Sequence, residues 1–166
     1  KWVAKLGSQA YGNVTIGNGY VFVGTNNESP RDSGKIGDRG VVMCLDEKTG
    51  ELKWQLVIPK LGAGKVSDWE YIGICSSAAI EGDKVYVVTN RCEVVCLDIN
   101  GLADGNDGPF KDEAAYVRPK GLKDELNPKL DADILWMYDM RDELGVFPHN
   151  VTSSSPVIVG DNVYVA

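Results

Sequence analysis

GVVMCLDEKTGELKW, residues 40–54, contains an apolar strand ending at Asp46, a polar turn over Glu47–Gly50 and a second strand that carries Trp54. Further along, EVVCLDING (93–101) repeats the first half, and the missing tryptophan arrives as ILW at 134–136, behind an insertion over 99–133. Trp2 stands where the last-strand tryptophan of a preceding repeat would be.

A second motif recurs around these. IGNGYVFV (16–23), IEGDKVYVV (80–88) and IVGDNVYVA (158–166) each join two apolar stretches by a tight Gly, Asn or Asp turn. Such residues tolerate the positive φ that a two-residue hairpin demands. Val21, Val85 and Val163 hold equivalent places, at offsets of 64 (21 to 85) and 78 (85 to 163). Apart from a short helical turn near Asp139–Leu144, no stretch has a 3.6-residue apolar period. Hairpin, CLD strand and Trp in the same order, twice over, argue for an all-β array of four-stranded antiparallel units, the blades of a β-propeller. A β-sandwich with chance likeness between hairpins is the plainer alternative.

Composition sets outer bounds. The chain has 166 residues, 43% hydrophobic and 25% charged, as folded globular domains do. Its net charge of −7 disfavours a phosphate backbone as partner, which needs clustered Lys and Arg, so no nucleic acid is expected. No apolar run is long enough to span a membrane, and no signal peptide is visible at Lys1.

The Cys44–Trp54 segment resembles the repeat of pyrroloquinoline-quinone (PQQ) propellers, in which a small residue, an Asp, a Thr-Gly turn and a Trp recur. Here these are Cys44, Asp46, Thr49, Gly50 and Trp54, with Trp136 as the second tryptophan. The resemblance implies that each Trp lies between neighbouring blades while Asp and Thr hold the turn. The second repeat departs from the pattern after Asp98. More narrowly, GICSSAAIEGDKVYVV, NRCEVVCLD, DGNDGPF and ELGVFPHN are similar to secreted PQQ-binding-like propeller proteins of planctomycete-type bacteria. The expected organisation is a partial propeller over 1–166, about two and a half blades. One blade covers 3–54, a second covers 75–137 with its insertion at 99–133, and a third starts at 153–166. Its first partner would be the rest of the ring, and its expected location is periplasmic or extracellular.

Blade topology sorts the loops. The A–B and C–D turns lie on one face, and the B–C loops and D–A crossings on the other, where the resemblance implies a ligand at the central channel. Long connections on that face span 26–39, 58–74 and 140–153. Connections of such length are uncommon unless they carry function. The candidate ligand face therefore holds Asn27, Arg31, Lys35, Asp38 and Arg39, then Asp68, Trp69 and Glu70, then His149 and Asn150. His149 is the only histidine and cannot build a zinc site alone.

Two further candidates are chemical. Asp98, Asn100, Asp104, Asn106 and Asp107 alternate with glycines, a composition that suits calcium but also plain Asx-Gly turns. Of the four cysteines, Cys44 and Cys96 read as small buried fillers of the third strand. Cys75, at the start of strand A, and Cys92, in the B–C turn, would meet at one end of the second blade in a disulfide. No two cysteines are adjacent, so the adjacent-cysteine ring of many quinoprotein alcohol dehydrogenases has no counterpart.

The expected function is a non-catalytic repeat module that binds a ligand or protein. Two alternatives stand beside it: a PQQ- and calcium-dependent dehydrogenase of alcohols or sugars, and a propeller scaffold of outer-membrane assembly. No catalytic residue is assigned.

Overall fold

A computed structural model describes residues 1–61, 69–119 and 125–166. Two four-stranded antiparallel sheets dominate it. The first joins β1 (Thr15–Gly17), β2 (Tyr20–Asn26), β3 (Arg39–Asp46) and β4 (Leu52–Pro59) in chain order. The second joins β5 (Ala79–Glu81), β6 (Lys84–Val88), β7 (Glu93–Asp98) and β8 (Ile134–Asp139) in the same order. A two-stranded hairpin follows, β9 (Val157–Val159) with β10 (Asn162–Tyr164). Among the described residues, helix is confined to short pieces, a 3-10 turn over Gly101–Ala103, α1 (Glu113–Tyr116) and α2 (Met140–Leu144).

The two sheets are built on one register. In the first, Phe22 faces Cys44 and Cys44 faces Trp54, and the ladder shifts just after Cys44. In the second, Tyr86 faces Cys96 and Cys96 faces Trp136, and the shift follows Cys96. A small third-strand residue thus leaves room for an aromatic ring on either side. The rings sit 5.8 Å apart in the first sheet and 6.0 Å in the second, tilted as aromatic pairs prefer. Both cysteines are fully buried, and burial pushes the Cys44 thiol to about 12 and that of Cys96 to about 11.

Strand alternation then sorts the core. Phe22, Val42, Trp54, Leu56 and Ile58 point from the first sheet into one apolar cluster with Val85, Val87, Val95 and Leu97 of the second. Val21, Val23, Val41, Met43 and Val57 point the other way and are covered by Trp2, Ala4 and Leu6 of the N-terminal segment. Hydrogen bonds between the sheets join residues one repeat apart. The Asn13 N–H donates to Ser77 Oγ at 2.8 Å and Asn18 Nδ2 to the Gly82 carbonyl, each across 64 residues. The Ser77 N–H donates to Ser155 Oγ at 3.0 Å across 78 residues, which brings the third hairpin alongside the second sheet.

Two expectations need correction. The first strand of the second sheet starts at Ala79, so Cys75 lies in the segment that leads into it. No disulfide joins Cys75 to Cys92. Instead Ser76 Oγ accepts the Val88 N–H, so the lead-in turns its hydroxyl residue toward that end of the sheet. The insertion also makes backbone contacts of its own. Gln55 N–H donates to the Leu130 carbonyl at 2.7 Å and Ala132 N–H to the Gln55 carbonyl at 3.0 Å, a parallel bridge along the outer edge of β4. Phe110 N–H donates to the Leu135 carbonyl beside β8. The insertion therefore shields edge strands that would otherwise present unpaired backbone groups.

Candidate functional site

Sheet docking rests on one device used twice. The Trp54 indole N–H donates to the Ile99 carbonyl at 2.8 Å, in the connection that follows β7. The Trp2 indole N–H donates to the Glu47 carbonyl at 2.9 Å, in the connection that follows β3. Each indole lies against a glycine held at positive φ. A Cβ on Gly101 (φ 63°) would come 2.8 Å from the Trp54 ring, and one on Gly50 (φ 75°) would come 2.5 Å from the Trp2 ring. Such a site admits glycine on two counts, backbone conformation and space. Asp46 Oδ1 accepts from the Lys48 and Thr49 backbone and from Thr49 Oγ1, which shapes the tight turn around that contact. The Thr49 N–H is the main cause holding the Asp46 carboxyl below its usual range. Trp136 has the same place in the second sheet but is only half-buried, beside a groove lined by Val94, Tyr138, Leu144 and Val163.

The loop end of the first sheet separates residues that hold the fold from residues that face outward. Asn27 is buried, and its Nδ2 donates to the Lys35 carbonyl at 2.6 Å and the Gly37 carbonyl at 3.2 Å, closing the loop on itself. Lys35, also buried, forms an ion pair with Asp131 of the insertion. Asp38 accepts the Tyr71 N–H at 2.8 Å and lies 3.6 Å from the Lys60 ammonium. Arg39 is buried and donates from Nε to the Ile36 carbonyl. Asn27 and Arg39 thus hold the loop to itself, while Asp38 ties it to Lys60 and Tyr71 and Lys35 ties it to the insertion. Trp69 and Glu70 are exposed, and Asp68 lies outside the described residues.

Arg31 differs from all of them. Its Nε, Nη1 and Nη2 are each buried, and none has a hydrogen-bond partner. Burial alone holds the guanidinium below its usual range. A guanidinium offers five donors, and one that is desolvated without an acceptor is costly. An anionic group placed there would satisfy it.

The 140–153 crossing is organised by Asp139, which caps α2 by accepting the Arg141 and Asp142 N–H groups. Although partial burial pushes the other way, the hydrogen bonds and charge of Arg141 hold the Asp139 carboxyl below its usual range. Beyond α2 runs a cavity of about 590 Å³ lined by Met140, Leu144, Phe147, His149, Asn150 and Val165. His149 is exposed at its rim, and Asn150 Oδ1 is buried without a partner.

Sequence reasoning missed the centre of this end of the second sheet. Glu93 is buried at the start of β7, and its carboxylate accepts from Thr89 Oγ1, Tyr116 Oη, Arg91 Nε and Arg141 Nη2. Arg91 also stacks over the Tyr116 ring, 5.5 Å from its centroid. The one acid ties β7, α1 and α2 together. A glutamate at the head of an apolar strand was the available signal.

The calcium candidates do not converge on one point. Asp98 Oδ1 accepts the Asn100 N–H at 2.7 Å, the bond of an Asx turn, and Asn100 Nδ2 donates to Asp104 Oδ2 at 2.9 Å, a side-chain pair. The Lys111 ammonium donates to the Asn106 side-chain and backbone oxygens and to the Asp107 carbonyl. Among the described residues, no group of three His, Cys, Asp or Glu gathers around a metal position. The resemblance implies PQQ with a calcium ion held by a carboxylate and an amide, beside an Asp base; no residue is assigned to those roles.

Among the described residues, no helix is long and apolar enough to cross a membrane. No protein-family model matches the chain, and no curated protein matches it.

Proposed function

We propose that the chain is part of a β-propeller of the quinoprotein-repeat type and serves, in a periplasmic or secreted protein, as a non-catalytic binding module for an anionic ligand. The repeated docking of Trp2 and Trp54 on a carbonyl and a glycine of the next repeat supports the ring. So do the hydrogen bonds between residues one repeat apart. In such a ring a further repeat would cover the groove at Trp136.

One observation carries the binding role: the Arg31 guanidinium, desolvated in the 27–38 loop with no acceptor. A carboxylate there would make a bidentate, charge-assisted pair. The ligand chemistry is that of an acidic peptide, with Trp69 exposed on the neighbouring crossing as an apolar contact. Isothermal titration with a short polyglutamate peptide should give saturable binding that weakens with added salt and falls at least about tenfold in Arg31→Ala. Equal binding by wild type and variant overturns the reading. Dye reduction on adding PQQ, calcium and an alcohol or sugar would overturn it too, and assign the chain to a dehydrogenase.

A further inference from the structure

The insertion hides an acidic pair that none of these roles uses. Asp133, just before β8, is fully buried, and Glu113, the first residue of α1, is 1% exposed. One oxygen of each is satisfied. Asp133 Oδ2 accepts the Asp107 N–H at 2.7 Å, and Glu113 Oε2 accepts Asn106 Nδ2 at 2.8 Å. The other two, Asp133 Oδ1 and Glu113 Oε1, are buried with no hydrogen-bond partner.

The surroundings sharpen the imbalance. The charges that bear on Asp133 are those of Glu113, Asp98 and Asp107, all negative. The nearby Lys111 ammonium is spent on the outer side of the loop, on Asn106 and Asp107 oxygens. A fold rarely keeps two buried carboxylates together without a cation, because burial penalises each charge and each penalises the other. Both contacts that position the pair come from the 104–108 loop, whose residues are exposed, so an ion and its waters have a short way in.

We propose that Asp133 and Glu113 form the buried half of a divalent-cation site, closed by the 104–108 loop, and that the ion is calcium. Every available ligand is an oxygen, which selects a hard cation over zinc or copper. With two carboxylates fixed, the remaining positions fall to water and to the loop carbonyls that Lys111 does not engage, a mixture that calcium's six to eight loosely arranged ligands accept. The ion sits behind the Asx-Gly turns and ties the insertion to β8. It needs neither the peptide reading of Arg31 nor any reaction.

The test uses the chain stripped with EGTA and then titrated with calcium, followed by thermal melting and by terbium luminescence sensitised through Tyr116, one turn along α1. Wild type should gain about 5 °C or more at saturation, with an affinity in the submillimolar range typical of extracellular modules. Asp133→Asn and Glu113→Gln should each abolish both responses while melting in EGTA at or above the wild-type temperature. Asp161→Asn, in the exposed turn between β9 and β10, should keep them. Three results overturn the proposal. The first is no shift in wild type up to about 10 mM calcium, above the weakest extracellular sites. The second is an equal shift in Asp133→Asn. The third is a response lost in Asp161→Asn but kept in both buried variants. If one buried variant fails to fold, the other still decides.

Discussion

The connections after β3 and after β7 do the same work with different means. After β3 the chain needs only Glu47–Gly50, a turn shaped by Asp46 and Thr49, to present a carbonyl and a glycine to Trp2. After β7 it departs into a long insertion, yet Ile99 and Gly101 present the same carbonyl and glycine to Trp54. Docking thus requires an acceptor and a gap at a fixed place, and leaves open how the chain gets back to its fourth strand. The second solution adds cover for two strand edges, and with it a buried ion pair, Lys35–Asp131, and a hydroxyl, that of Tyr116, for the buried Glu93 carboxylate.

The comparison can be broken most forcefully at the indoles. Trp54 is buried between two sheets, whereas Trp2 is half-buried on the outer face of the first. Trp54→Ala should cost about 3–5 kcal/mol in urea unfolding, as large core truncations do, and Trp2→Ala about 1–2 kcal/mol. Similar losses would mean that the two tryptophans do not sit in unequal surroundings.

The glycines come next. A Cβ on Gly101 would meet both the buried Trp54 ring and the Asp131 carbonyl, neither of which can yield. Gly50 faces a Trp2 ring at the molecule's edge, which can swing away. Gly101→Ala should cost about 2–4 kcal/mol, from overpacking added to positive-φ strain, and Gly50→Ala about 1 kcal/mol.

The smallest effect is a pH dependence at the end of the second sheet. The Asp139 carboxyl is held below its usual range in the fold, so its contribution is present above the unfolded value of about 3.9 and is lost as pH falls through the folded value. Denaturant midpoints between about pH 5 and 2 should fall less steeply in Asp139→Asn than in wild type. An unchanged slope would remove Asp139 from the acid limb.

How much of this could be read from the residues is uneven. The hairpins were legible because period-two alternation and two-residue Gly, Asn and Asp turns are local signals; the pairings Ile16–Val21, Ile80–Val85 and Ile158–Val163 are one register repeated. Trp54 and Trp136 stood out for the same reason, one residue type at one place in each repeat. The loop residues did not sort themselves. Asn27, Lys35, Asp38 and Arg39 look like ligand contacts in sequence, yet each is consumed by a partner far along the chain or by its own loop backbone. Asp133 and Glu113 passed unnoticed because nothing in a polar insertion announces which acids will be buried. Which carboxylate loses its water is decided by chain packing, and no local pattern encodes that.

The account stands on indoles that bridge neighbouring repeats, and a nuclear Overhauser spectrum of the indole N–H protons tests it most directly. It predicts cross-peaks from Trp54 to Ile99 and Gly101, from Trp2 to Glu47 and Gly50, and slow solvent exchange at Trp54 alone. Cross-peaks from Trp54 confined to Phe22, Cys44 and other residues of its own sheet would contradict it.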